Sequence, residues 1–146
     1  MFLEEIYETA AQRYGIDKEK GMRKELELER ALCFANPYMQ QVVKLLQEQG
    51  KRIIVTSNMY LRSDVLRELL ASCGYDLKEI YVSCEQGCSK RHGALQRKLS
   101  QRFGNSTVIH IGDNYRMDVE GSRMAGWKAV HYPNVSELGK PYRGTR

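Results

Sequence analysis

The stretch "VIHIGDNYRMDVEGSRMAGWKAVHY", residues 108–132, decides how the rest of the chain is read. An apolar run over residues 108–111 ends in Gly112 and Asp113, and Asp118 follows five positions later. This spacing predicts a strand, a turn carrying two carboxylates, and a helix over residues 116–125 stopped by Gly126. A second strand, "KAVHY", then ends at Pro133. Gly112 is expected to let the backbone turn tightly. Asp113 then follows the strand directly, Asp118 falls near the helix start, and both can point into one crevice. Mg²⁺ takes hard oxygen ligands and retains several waters, so one or two protein carboxylates suit it. An Asx turn followed by an ordinary helix-start aspartate is the plainer reading of the same residues.

Upstream, the pattern repeats. "RIIVTS" is a β-branched run between Gly50 and Asn58 and predicts a buried strand; "EIYVS", residues 79–83, predicts another. Ser63 is expected to cap a helix that Gly74 closes. Ser89 is expected to cap one running through Leu95, Leu99 and Phe103 to Gly104. Before the strands, residues 1–14 predict an amphipathic helix with Phe2, Leu3, Ile6, Ala10 and Tyr14 at helical spacing, and residues 18–33 a charged one with a stripe of Leu26, Leu28, Ala31 and Leu32. Asn36-Pro37 predicts an N-cap and first position of a helix to Gly50, with Val42, Val43, Leu45 and Leu46 facing inward. Strands alternating with helices imply a parallel α/β sheet of Rossmann-like form, whose ligands sit at the carboxyl ends of the strands.

That rule selects three places. The first strand delivers Ser57 and Asn58, a hydroxyl and backbone N–H groups able to grip a phosphate oxygen, or simply turn residues. Lys90 follows the second strand at a helix start. It opposes the helix dipole there, so it either faces an anion or is one lysine of a solvated basic run. Asp113 and Asp118 follow the third. The three occur in order, each where a ligand belongs.

Bulk properties narrow the class. The 146 residues are 42% hydrophobic and 28% charged, an ordinary composition for one soluble domain with a core. The apolar runs are too short to span a bilayer, and Met1-Phe2-Leu3 meets Glu4 and Glu5 at once, unlike a basic leader, so a cytoplasmic setting is expected. Cys33, Cys73, Cys84 and Cys88 show only one close spacing, C-x3-C, and read as free thiols rather than a disulfide or zinc set. The net charge is +5, with Lys90, Arg91, Arg97, Lys98 and Arg102 in one segment and a tail "KPYRGTR". No nucleic-acid-binding signature accompanies them, and a solvated basic helix face is the plainer account.

"IIVTSNMYL", "YVSCEQGCSKRHGALQRKL" and "VIHIGDNYRMDVEGSRMAGWKAVHY" together resemble the second, third and fourth motifs of the haloacid dehalogenase superfamily, over about residues 36–135. The likeness is greatest to bacterial hydrolase-like domains with an "SDMYL" second motif, some attached to glycosyltransferases; Asn58 stands where their aspartate is usual. The resemblance implies that Ser57 binds the transferred phosphoryl group, that Lys90 stabilises its charge, and that Asp113 and Asp118 hold Mg²⁺. It also implies a phosphorylated small-molecule substrate. The family's first motif, a strand ending in D-x-D with the nucleophile and the general acid/base, has no counterpart here: no D-x-D occurs in the chain. Residues 1–35 resemble the later part of a helical cap, and residues 36–146 a core without its first strand. The expectation is therefore a chain truncated within its cap, with little Mg²⁺ affinity and no turnover by itself. A noncatalytic phosphate- or partner-binding module and one half of a two-component enzyme are the alternatives. In the resembled fold the missing strand lies between residues 53–56 and 108–111, so a second copy or a complementing chain is expected to fill its place unless those strands close up.

Overall fold

The computed structural model describes residues 1–134; the basic tail "KPYRGTR" lies outside them. The chain divides into two compact units, Met1–Gly87 and a second beginning at Cys88.

The first unit starts with α1 (Leu3–Tyr14) and α2 (Lys18–Leu32). Glu5 reaches back to accept from the Phe2 N–H at 2.7 Å, and Asp17 accepts from the Lys20 N–H at 2.9 Å. Each satisfies one of the backbone donors that a helix start leaves open. The hairpin closes on a glycine: a Cβ at Gly21 would lie 2.3 Å from the Tyr7 ring, and the Tyr7 hydroxyl donates to Glu25 at 2.7 Å. Leu3, Leu61 and Leu69 form the core, with Tyr7, Met22 and Leu26 packed against it. Three expected apolar stripes are narrower than the sequence implied. Leu28 is 46% and Leu32 70% exposed because Met22 and Leu26, one turn apart, already fill the face of α2 that meets the core. Tyr14 and Leu45 likewise face solvent.

Next come α3 (Pro37–Glu48), β1 (Val55–Ser57), α4 (Ser63–Ser72), β2 (Ile80–Val82) and a short α5 (Ser83–Gln86). Asn36 caps α3 as expected, accepting from the N–H groups of Tyr38 at 3.0 Å and Met39 at 3.2 Å. Ser63 does not cap α4. It is the first helical residue, and both its N–H and its hydroxyl donate to Glu85 at 3.1 Å. β1 and β2 pair in parallel, Val55 opposite Ile80.

The second unit holds a 3₁₀ turn (Arg91–Gly93), α6 (Ala94–Phe103), β3 (Ile109–Gly112), a wide π turn (Tyr115–Glu120), α7 (Gly121–Met124) and β4 (Lys128–His131). α6 starts later than Ser89 because His92 and Gly93 take left-handed conformations, φ +54° and +72°, and interrupt the helix there. Leu95, Leu99, Val119 and Trp127 are buried, and the Trp127 indole donates to the Ser100 hydroxyl at 2.8 Å. β3 and β4 are parallel, Ile109 opposite Lys128. The parallel α/β order is as expected, but the single sheet is not: the described strands make two two-stranded sheets, one in each unit. Residues 1–32 contribute helices and no strand.

Candidate functional site

The site is built around the end of β3. In a strand, alternate residues share a face. His110 and Gly112 therefore lie on one side of β3, and Ile109 and Ile111 on the other. The chain then turns at Asp113 and Asn114. The Asn114 side chain accepts from the Met117 N–H at 3.0 Å, and its carbonyl accepts from the Asp118 N–H at 2.7 Å. The wide turn that follows, closed by the Gly121 N–H on the Arg116 carbonyl, replaces the first turns of the helix expected from residue 116. Wide turns of this kind are rare and concentrate at functional sites.

This turn carries Asp118 back over the strand end. Asp118 is 2% exposed. Lys90 Nζ lies 2.5 Å from Oδ1, His110 Nε2 lies 3.1 Å from the same oxygen, and the Asn114 N–H donates to Oδ2 at 3.0 Å. Burial by itself raises the pKa of Asp118. The hydrogen bonds of His110 and Lys90, the Lys90 charge and the Asn114 N–H more than reverse this and hold the carboxyl well below the usual aspartate range. Asp118 is thus a buried anion matched by a nearly buried lysine, whose side chain is 12% exposed.

Glycines make the approach possible. Gly112 does not supply a left-handed turn; its φ is not positive. It supplies room, since a Cβ there would lie 2.4 Å from Asp118 Oδ2. Gly93 and Gly121 meet back to back: a Cβ on Gly93 would lie 2.4 Å from the Gly121 carbonyl, and one on Gly121 would lie 2.5 Å from the Lys90 carbonyl. That contact sets the segment bearing Lys90 against the turn bearing Asp118. The anion that Lys90 faces is therefore a carboxylate of its own chain, and Lys90 is no part of a uniformly solvated basic face.

The remaining expected residues are placed differently. Asp113 is exposed; its Oδ2 accepts from Asn134 Nδ2 at 3.0 Å and its carbonyl meets His131 Nε2 at 2.9 Å. Ser57, half-buried, and Asn58, exposed, stand at the carboxyl end of β1 in the first unit. Two participants were not anticipated. His110 was signalled only by its strand parity with Gly112. Gln96 is fully buried in α6 and donates to the Met117 carbonyl at 3.2 Å, next to Asp118. A glutamine among the core leucines of α6 was the only sign of it.

Among the described residues no three His, Cys, Asp or Glu side chains gather to hold a metal ion. The donor set agrees: both Asp118 oxygens already accept hydrogen bonds, one of them from a lysine, and Asp113 is engaged by Asn134. These residues alone do not fit a Mg²⁺ cage.

Lys90, from the segment before the 3₁₀ turn, is thus paired with a carboxylate of the G-D-x4-D loop that follows a parallel strand. The model of the haloacid dehalogenase-like hydrolases matches residues 4–126, and the chain belongs to that family. Among solved structures it is similar to a hydrolase from Streptococcus pneumoniae TIGR4, at 19% identity and a TM-score of 0.57. The match covers 86% of this chain and 64% of that one, and at such identity it speaks for the fold. No curated protein matches the chain.

Proposed function

We propose that these residues carry the phosphate-neutralising and acidic part of a phosphoryl-transfer site, and that alone they bind phosphate without turning over phosphate esters. The buried Lys90–Asp118 pair, with His110 behind it, carries this reading. Such a pair is costly to bury and contributes little net stability for that cost, so its retention points to chemistry. By the resemblance, Ser57 and Asn58 of the first unit are assigned to gripping phosphate oxygens and Lys90 of the second to neutralising phosphoryl charge, while Asp113 and Asp118 would need further ligands to hold a divalent cation. With no D-x-D in the chain there is no nucleophile of the family type. A nucleophile-bearing strand from another segment, a second copy or a separate chain would complete it, as in the two-component reading. Among the described residues β3 pairs with β4 alone, which leaves its other edge able to receive such a strand. Residues 1–35 are proposed as part of a cap and the substrate as a phosphorylated small molecule. The setting is proposed to be cytoplasmic; no helix among the described residues is long and apolar enough to cross a membrane.

The test is a pair of measurements. p-Nitrophenyl phosphate with Mg²⁺ should give no turnover above background. Calorimetry with inorganic phosphate should show weak binding that falls about tenfold in Lys90→Gln, as loss of a charge-assisted hydrogen bond implies. Turnover that survives repurification and disappears in Asp118→Asn overturns the binding-only reading. Phosphate binding indifferent to Lys90 overturns the site.

A further inference from the structure

Cys33 and Cys73 are 40 positions apart in the chain, yet their sulfurs lie 3.7 Å from each other. We infer that this pair is a modification site: a surface dithiol that closes to a disulfide under a low-molecular-weight disulfide oxidant and staples the end of α2 to the end of α4. Both cysteines cap helices. The Cys33 N–H donates to the Glu29 carbonyl at 3.0 Å, and the Cys73 N–H to the Leu69 and Leu70 carbonyls at 3.2 and 3.1 Å. The Cys73 carbonyl also accepts from Gln40 at 2.7 Å, so its backbone is held from a third helix. A seam leads to the pair: Leu26 packs on the cluster that contains Leu69, and Arg30 meets Glu68 at 3.1 Å. The two sulfurs are therefore presented to each other by fixed backbones. Closing to a bond of about 2.0 Å needs only small side-chain rotations.

The exposures set the order of events. Cys33 is exposed and Cys73 partly buried, so an external disulfide reaches Cys33 first. Its thiolate attacks one sulfur of the oxidant, forms a mixed disulfide and expels one thiolate. The Cys73 thiolate then attacks Cys33 Sγ, forms the internal bond and expels the second. Two electrons pass to the oxidant, and the two protons lost by the cysteines are taken up by its two thiolates. Desolvation, and then the hydrogen bond and charge of the neighbouring Cys73, push the Cys33 thiol up.

α2 has most to gain from the staple, since it buries no residue completely and its link to α4 at Arg30–Glu68 is exposed. The experiment is peptide mapping of the intact chain after oxidised glutathione, with free thiols alkylated. The expected product is a Cys33–Cys73 cross-link with Cys84 and Cys88 alkylated. The thermal midpoint should rise by roughly 5–10 °C, reversibly with dithiothreitol, as closure of a loop of this length implies. In Cys73→Ser, Cys33 should stop at the glutathione adduct. A wild-type chain in which Cys33 keeps glutathione while Cys73 is alkylated, or in which neither thiol reacts, overturns the inference.

Discussion

Asp118 keeps its charge while almost wholly removed from water because three donors converge on its two oxygens: Lys90 and His110 on Oδ1, the Asn114 N–H on Oδ2. At this scale Gly112 matters as much as the charged groups. The G-D-x4-D pattern suggests a glycine needed for a turn, but its backbone is ordinary, and the space above its Cα is filled by the Asp118 carboxylate. Gly112→Ala therefore drives a methyl into a side chain that its partners hold in place. The expected cost is about 1–3 kcal/mol of unfolding free energy, measured by urea denaturation. A midpoint within error of the parent protein would mean that the Asp118 side chain gives way easily and that its network is looser than its distances imply.

Elements follow local rules wherever a few neighbouring residues decide the outcome. Asn36-Pro37 starts α3 as its chemistry requires, since the side-chain oxygen meets two N–H groups that would otherwise be open. Asn36→Ala should cost about 1 kcal/mol, seen as a lower thermal midpoint; no change would show that water replaces the cap fully. Ser63 had the same credentials and behaves otherwise, because Glu85, 22 positions away, takes both its N–H and its hydroxyl. Ser89 is a similar case: it accepts from the Arg91 N–H at 3.2 Å, but the left-handed His92 and Gly93 postpone α6 to Ala94. Strand parity was legible in β3, and it put His110 beside Gly112. What parity could not tell was that the other face, Ile109 and Ile111 with Val130 of β4, is left 58%, 36% and 51% exposed.

At the scale of the whole molecule, the buried carboxylate ties stability to pH. Folding lowers the Asp118 pKa from its ordinary value of 3.8, so its contribution is fully present above that value and is lost as pH falls through it toward the folded pKa. Asp118→Asn should be less stable than the parent near neutral pH, and the gap should close as acid is added below about 3.8, followed by urea midpoints across the series. A gap that stays constant to low pH would mean that the charge of Asp118 plays no part in folding. The sequence by itself determined the order of helices and strands, the cap at Asn36, and the loop that carries both aspartates. These depend on periodicity and on side chains reaching backbone a few residues away, and such forces act within a turn or a strand. The tertiary structure alone decided that Lys90 meets Asp118 across 28 positions, that Cys33 meets Cys73 across 40, and that the parallel strands divide into two pairs. Those outcomes depend on which surfaces pack, on glycines that let two backbones approach, and on the cost of leaving a buried charge unmatched, none of which a local pattern records.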